Sequence, residues 1–417
     1  MKGYCRVFII IIFLWVVNNQ SFSQSGWKVI ESEADSWLFS IFFIDDFTGF
    51  ISGQYGTVLK TTDKGLSWSL KNTPTNQVLL SIHFFDKDNG LISGTNSTII
   101  RTTNAGENWF HDSPPYFQSL NNICFIDNNT GLIVGDYGLI IRTTDKGVSW
   151  IQIPAPTGNI LEAVSFSDRN NGMAVGLFGT IIKTLDGGLT WFLVSSPTHK
   201  NFHSITYKNS SLIYIVGFPG NIYKSVNAGY TWEFLQNGTG TSLRNVEFID
   251  DNIGYVVGHH GTILKTVNGG VNWKLQTPPI LRNLSFIKFT DENTGFVVGR
   301  EGTILRTTNG GDEIQVIHPN SSLPKSFNLY QNYPNPFNPS TQITFDVPYQ
   351  PGFIGPPKVN ITIFDITGKM ITELVNGNYE PGTYYITWNT TEIPAGVYFY
   401  RMIGLDYTES RKLVIIK

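Results

Sequence analysis

Two acidic side chains, Asp136 and Glu301, occupy short turns that otherwise vary along this chain, and a pair of carboxylates is what glycoside hydrolysis needs as acid and base. They are the candidates for a catalytic couple, set against a leading expectation of no catalysis. His259 and His260 are adjacent, so in an extended chain their rings point to opposite sides and do not share a metal. Arg244, Arg282 and Arg300 are a set that would hold a carboxylate, with Tyr55 beside them if the chain closes on itself. Seven Asp or Asn residues recur at one spacing: Asp63, Asn104, Asp145, Asp186, Asn227, Asn268 and Asn309. A metal reading would demand seven like sites. Turn chemistry accounts for the residue types, because a short polar side chain bonds nearby amides and the glycine two places on is free to take positive φ. These residues are expected to be structural, with no metal and no cofactor.

A basic residue precedes each of these turns: Lys60, Arg101, Arg142, Lys183, Lys224, Lys265 and Arg306. One reading is an anion-binding rim. The expected one is an ion pair within every repeat but the fifth, joining Lys60 to Asp45, Arg101 to Asp86, Arg142 to Asp127, Lys183 to Asp168, Lys265 to Asp250 and Arg306 to Asp291, while Asn209 faces Lys224 in the fifth. Exposed pairs of this kind contribute under about 1 kcal/mol each. Specificity belongs where the pattern varies. The turn pairs Gln54-Tyr55, Thr95-Asn96, Asp136-Tyr137, Leu177-Phe178, Phe218-Pro219, His259-His260 and Arg300-Glu301 differ in every repeat. Connections between repeats add Trp37, Tyr116, Phe117, His199, Lys200, His203, Arg244 and Arg282. Aromatic side chains among polar ones suit stacking on sugar rings or gripping a peptide. The expected ligand-binding face is Tyr55, Asp136, Tyr137, Phe178, Phe218, His259, His260, Arg300 and Glu301.

What must position these residues is a 41-residue repeat. The box Thr61-Thr62-Asp63-Lys64-Gly65-Leu66-Ser67-Trp68 recurs with its first residue at Thr102, Thr143, Thr184, Ser225, Thr266 and Thr307, without insertion. Ahead of it lie a hydrophobic strand such as Ser40–Ile44, an Asp-x-x-x-Gly turn (Asp45, Gly49), a strand ending at Gly53 and a third strand, Val58-Leu59-Lys60. The fourth begins at the box tryptophan. Four strands in about 40 residues is the pattern of a propeller blade. Box tryptophans stand at Trp68, Trp109, Trp150, Trp191, Trp232 and Trp273, but the seventh position holds Ile314. Forty-one residues before Trp68 stands Trp27. The segment Trp27–Ile30 therefore reads as a displaced fourth strand of the last blade, and the fold expected is an all-β, seven-bladed propeller of 28 strands closed by its N-terminal strand, with no open sheet edge.

The 417 residues carry 29 Lys+Arg against 32 Asp+Glu, so no strong field draws in nucleic acid, and none is expected as a partner. Lys2 and Arg6 precede an apolar run, Val7–Val17, and the small residues near Ser23, which reads as a signal peptide cleaved near Ser23. That run is shorter than the roughly 20 residues a spanning helix needs, and no later stretch is longer, so no membrane span is expected in the mature chain. Cys5 falls in the leader, leaving Cys124 alone and no disulfide expected within the mature chain. The domains expected are a signal peptide over 1–23, the propeller over 24–311, a linker over 312–326 and a small Ig-like β-sandwich over 327–417. Strands of that last module are placed at Gln342–Val347, Val359–Phe364, Gly382–Trp388 and Gly396–Met402, followed by a basic end, Arg411–Lys417.

The box Ser/Thr-x-Asp-x-Gly-x-Ser/Thr-Trp resembles the Asp-box of bacterial neuraminidase repeats. The longer pattern Val257–Trp273 resembles the propellers of photosystem II assembly factors. The resemblance spans roughly residues 27–311 and implies architecture, since propellers of this kind host hydrolases, lectin-like binders and assembly factors. Sialidases of this kind need three arginines and a Tyr/Glu pair, but the arginine motif before the first box is absent here. Two-propeller xyloglucanase-like hydrolases also fit poorly, because one propeller is present. The segments LYQNYPNPFNPST (329–341), IFDITGK (363–369), GTYYITWN (382–389), AGVYFYR (395–401) and RKLVIIK (411–417) resemble the type IX secretion sorting domain of Bacteroidota-like bacteria. That resemblance implies export across the outer membrane by the type IX machinery, then release or surface attachment. The function expected is a secreted or cell-surface binding or scaffold module recognising glycan or protein through the variable face. The alternative is an extracellular glycoside hydrolase using Asp136 and Glu301.

Overall fold

The computed structural model describes residues 23–112, 114, 116–317, 323–349, 356–390 and 393–417. The expected leader and Cys5 lie outside the described residues, Ser23 excepted. Two compact units are present, one over Ser25–Glu313 and one carrying Ile314–Lys417. The protein is all-β, with only short 3₁₀ turns beside the strands.

Each repeat folds as an antiparallel meander. In the first, Leu38–Phe43, Gly49–Gly53, Val58–Thr61 and Ser69–Lys71 pair in sequence order, and five further four-stranded sheets repeat this arrangement. In the seventh repeat Leu284–Phe289, Gly295–Gly299 and Ile304–Ile317 pair in order, and Ser23–Val29 pairs with the last of these. The second strand is buried along its whole length in every repeat, which is why it reads as an unbroken apolar run. In six repeats a glycine opens it where a first-strand phenylalanine ring leaves no room for a side chain, and in the fifth Ile213 stands there opposite Tyr207. A Cβ on Gly49 would stand 2.7 Å from the Phe43 ring, and Gly172 meets Phe166 in the same way.

The core lies between sheets. Phe50 and Val58 of the first repeat pack with Leu79, Ile82, Phe84, Ile92, Ile100 and Trp109 of the second. Leu38, Ile41, Ile51, Leu59 and Trp68 pack with Phe296, Val298 and Ile304 of the seventh. Trp27 is 1% exposed, edge-on to Phe289 at 6.1 Å, and its Nε1 donates to Gln276 Oε1 at 2.7 Å.

The C-terminal unit is two facing sheets. One pairs Asn328–Leu329, Ser340–Val347 and Gly382–Asn389; the other orders Met370–Asn378, Lys358–Asp365, Gly396–Gly404 and Tyr407–Ile415. Phe345, Ile386, Trp388, Ile361, Tyr400 and Met402 fill the space between them. The strands Met370–Asn378 and Tyr407–Ile415 are additions to the sequence reading. The first carries register shifts against Ile361–Phe364 that break its alternation, and the second is a charged edge strand. The Asn-rich segment before Ser340 is tied down by side chains. Asn332 Nδ2 donates to Thr341 Oγ1 at 2.9 Å, and Asn335 Oδ1 accepts the Val414 amide at 2.8 Å.

Candidate functional site

The first strand of every repeat carries a one-residue bulge. Leu38 opposes Gly53 and Ser40 opposes Ser52, so Phe39 is left unpaired, and the same shift recurs in all seven repeats. A bulge re-aims the extra side chain. Here the extra residues are Phe39, Leu80, Asn121, Glu162, His203, Arg244 and Ser285, spaced by one repeat, and all seven line a single cavity of about 580 Å³ including its open mouth. The sequence reading puts His203 and Arg244 in connections between repeats. The structure corrects this: both lie inside first strands, Phe202–Tyr207 and Leu243–Phe248.

Within the cavity Arg244 Nη1 lies 3.0 Å from His203 Nδ1. A guanidinium only donates, so Nδ1 is the acceptor and the imidazole proton sits on Nε2. Burial, with the Arg244 charge and His259 adding to it, pushes the His203 pKa down to about 3, which keeps the ring neutral. Burial raises the Glu162 carboxyl above its usual range; Arg244 opposes the shift and Asp136 adds to it. Asn121 Nδ2 donates to Asp136 Oδ1 at 3.1 Å and to the Leu161 carbonyl at 3.0 Å. Trp37 stacks on Phe39 at 5.4 Å and donates from Nε1 to Ser285 Oγ at 2.6 Å. Phe39, Leu80, Asn121, Glu162 and Ser285 are the bulge residues of the cavity that sequence reasoning missed. Their position, which varies from repeat to repeat just after a recurring Leu or Phe, carried the signal, but a bulge cannot be seen in an alternating pattern.

The variable turns are tight and strained. In Gln54–Thr57 the Thr57 amide bonds Gln54 O at 3.0 Å while Tyr55 and Gly56 have φ of 57° and 70°, a type I′ turn. Asn96, Tyr137, Phe178, His260 and Glu301 take the same left-handed conformation at the equivalent place. Bulky residues rarely sit there. The turn is anchored at both sides: the Gln54 amide bonds Trp37 O, and the Gly56 amide bonds Gln77 O. Its tip is thereby presented to solvent, with Tyr55 73%, Tyr137 77%, Phe178 67% and Phe218 48% exposed. Glu301 Oε2 pairs with Arg282 Nε at 2.9 Å and its Oε1 lies 3.8 Å from Arg300 Nε. Asp136 is held instead by Asn121, so no described contact joins the two candidate acids. The His259 and His260 rings are 6.4 Å apart and steeply inclined. Among the described residues no cluster of His, Cys, Asp and Glu is placed to hold a metal ion.

The opposite end holds the boxes. Asp145 Oδ1 accepts from Thr143 Oγ1 at 2.7 Å and from the Ser149 amide at 2.9 Å, while Oδ2 accepts from Ser149 Oγ at 2.6 Å. Burial would raise this carboxyl, but those hydrogen bonds hold it down at about 2. Among the described residues no ion pair joins Lys60, Arg101, Arg142, Lys183 or Lys265 to the aspartate expected for it, which corrects that reading in these repeats. Asp45, Asp86, Asp127, Asp168, Asp250 and Asp291 accept the amides two and three residues on, as in Asp45 Oδ1 with Phe47 and Thr48 at 2.8 and 2.6 Å. The basic side chains of the first six repeats reach across to the next one, Arg101 to Lys146 O and Gly147 O, although Arg101 also pairs with Asp112 of its own repeat at 2.6 Å. Lys60 Nζ bonds Ala105 O and Glu107 Oε1, Lys183 Nζ bonds Ala228 O, Lys224 Nζ bonds Gly269 O, and Lys265 Nζ bonds Asp312 Oδ1, all within 2.7–3.0 Å. Arg142 Nε likewise donates to Gly187 O at 2.9 Å. These cations are half-buried or buried and committed to the next repeat's box, so they form joints between sheets.

Four overlapping segments, residues 19–111, 67–157, 149–239 and 231–333, match the family described as Photosynthesis system II assembly factor YCF48. Residues 331–416 match the Secretion system C-terminal sorting domain, which directs export by type IX secretion to the cell surface or the medium. Comparison with curated proteins gives no match. Among solved structures the chain is similar to "YCF48 bound to D1 peptide", at 21% identity and TM-score 0.60, covering 68% of this chain and 94% of that one. It is similar to YCF48 from Cyanidioschyzon merolae at 21% identity and TM-score 0.58, covering 67% and 98%. The WD40 β-propeller domain of Doa1 follows at 13% identity and TM-score 0.56, covering 69% and 97%. The repeat meanders, the family match over most of the chain and these propeller neighbours agree: the protein belongs to the Photosynthesis system II assembly factor YCF48 family and carries a secretion sorting domain behind its propeller.

Proposed function

We propose that the chain is a non-enzymatic binding module whose seven blades close through Ser23–Val29, and that it grips an extended protein segment with its variable turns after export. The observation carrying this is the set of aromatic rings on strained type I′ tips: Tyr55, Tyr137 and Phe178 are held outward at 67–77% exposure by a conformation that bulky residues avoid. Such rings offer large contact area at little entropic cost. The similar propeller solved as YCF48 bound to D1 peptide supports a peptide over a glycan as the ligand class. The pairing of Ser23–Val29 with Ile304–Ile317, and the packing of first-repeat side chains on the seventh, support the closed ring. A leader over 1–23 cleaved by the general export machinery, a linker over 312–326, and release or anchoring after the sorting domain acts complete the reading. The hydrolase alternative gains nothing, because Glu301 is tied to Arg282 and Arg300 and Asp136 to Asn121.

The test is a screen of peptide and polysaccharide arrays with the mature chain and with a Tyr55→Ala/Tyr137→Ala/Phe178→Ala variant. Removing three interfacial aromatic rings is expected to weaken a captured peptide at least about tenfold. Equal retention of every ligand by both proteins would remove the turn face from contention.

A further inference from the structure

The cavity between the first strands is sorted by chemistry around its wall. One sector carries Glu162 and Asn121, the sector beyond His203 carries Arg244, and the remaining arc carries Phe39, Leu80 and Phe286 with one hydroxyl, Ser285, whose oxygen accepts the Trp37 indole N–H. Two of these groups are short of partners. Glu162 makes no hydrogen bond or ion pair among the described residues, although it is drawn well into the wall and feels Arg244 at a distance. Arg244 spends one contact on a neutral imidazole and meets no carboxylate within ion-pair range among the described residues. Half-buried charges left unpaired cost stability, and an opposite charge supplied from outside recovers that cost. Asn121 points the same way: both protons of its Nδ2 are engaged, leaving Oδ1 as a further acceptor beside Glu162.

We propose that this cavity binds a free α-amino acid with an apolar side chain, its ammonium on Glu162 and Asn121, its carboxylate on Arg244, and its side chain against Phe39, Leu80 and Phe286. The three sectors together select this class. A dicarboxylate would set one of its charges against Glu162, and a diamine would set one against Arg244; an internal peptide segment brings neither charge. This site is separate from the turn tips, and its existence does not depend on the peptide reading of that face.

The experiment is calorimetric titration of the mature chain with L-leucine, N-acetyl-L-leucine, which lacks the ammonium, and L-leucinamide, which lacks the carboxylate. L-leucine is expected to bind at least about tenfold tighter than either derivative. Glu162→Gln should abolish the preference over N-acetyl-L-leucine and keep that over leucinamide; Arg244→Gln should do the reverse, with circular dichroism confirming that both variants fold. The Tyr55→Ala/Tyr137→Ala/Phe178→Ala variant should bind L-leucine as the unaltered chain does, which separates this site from the turn face. No saturable binding of L-leucine or L-phenylalanine by folded protein up to about 10 mM would overturn the proposal. So would equal binding of all three leucine compounds, or binding that neither cavity variant changes.

Discussion

His83 shows how a single residue in this fold acquires a pH dependence. Its ring stacks on Phe125 at 4.6 Å and stands edge-on to Phe85 and Phe42, and burial pushes its pKa down to about 4. In the unfolded chain the same histidine takes a proton near its ordinary pKa of about 6.5. The unfolded state therefore binds more protons between those values, so stability is complete above about pH 6.5 and falls as pH drops toward 4. His203 adds a second contribution of the same sign, extending to about pH 3. Each histidine should contribute a slope of up to about 1.4 kcal/mol per pH unit inside its window. His83→Phe keeps a ring against Phe125 and is expected to flatten the loss between pH 6.5 and 4, read from thermal unfolding at several pH values. An unchanged slope would show that the buried imidazole is not responsible.

At the scale of elements, the sheets are joined by polar ties as well as by apolar packing. Lys183 is 3% exposed, donates to Ala228 O at 2.8 Å and lies 4.4 Å from the Tyr230 ring centroid. The box of the next repeat thus presents a carbonyl that its own turn does not use, and the cation supplies the missing donor. Inner strands are tied too: Asn122 Oδ1 accepts the Val164 amide and Asn245 Oδ1 accepts the Ile287 amide, each reaching the following repeat. Lys183→Met keeps the stem but orphans the Ala228 carbonyl, at an expected cost of about 1–3 kcal/mol. The loss should lower the urea midpoint with an unchanged slope. Lys87, whose side chain is 82% exposed, is the control, and Lys87→Met should leave the midpoint in place.

At the scale of the whole molecule, the closed-ring proposal makes the first described strand responsible for every sheet. An open ring would leave Ile304–Ile317 with an unpaired edge and would uncover the side of Phe289 against which Trp27 packs. Trp27→Ala is expected to cost about 3–5 kcal/mol, as truncation of a buried aromatic does. Removing residues 24–31 should lower the melting temperature of the whole propeller, because each sheet is stabilised by both neighbours. A truncated chain melting at the same temperature would show that Ser23–Val29 adds nothing to the ring.

The repeat was legible in the chain because its period is uninterrupted: four strands per 41 residues and the turn chemistry of Asp63 and Gly65 follow from residue types alone. Trp27 could be singled out by position arithmetic, since it stands one period before Trp68. The tips that vary were legible for the same reason, although their left-handed backbone was not, because only Gly56, and not Tyr55, announces positive φ. Three things waited for the tertiary structure. The direction of Lys60 and its equivalents depended on how one sheet lies against the next, and spacing along the chain cannot report that. The strand Met370–Asn378 was hidden because bulges in its pairing scramble the alternation that marks a strand. The cavity lining was hidden because one unpaired residue per strand, at Phe39 and at each of its repeats, turns a side chain into the shared cavity. Sequence by itself determined the repeated element, whose code is local; only the packing of seven such elements decided which of their side chains meet, and so placed Glu162, His203 and Arg244 around one space.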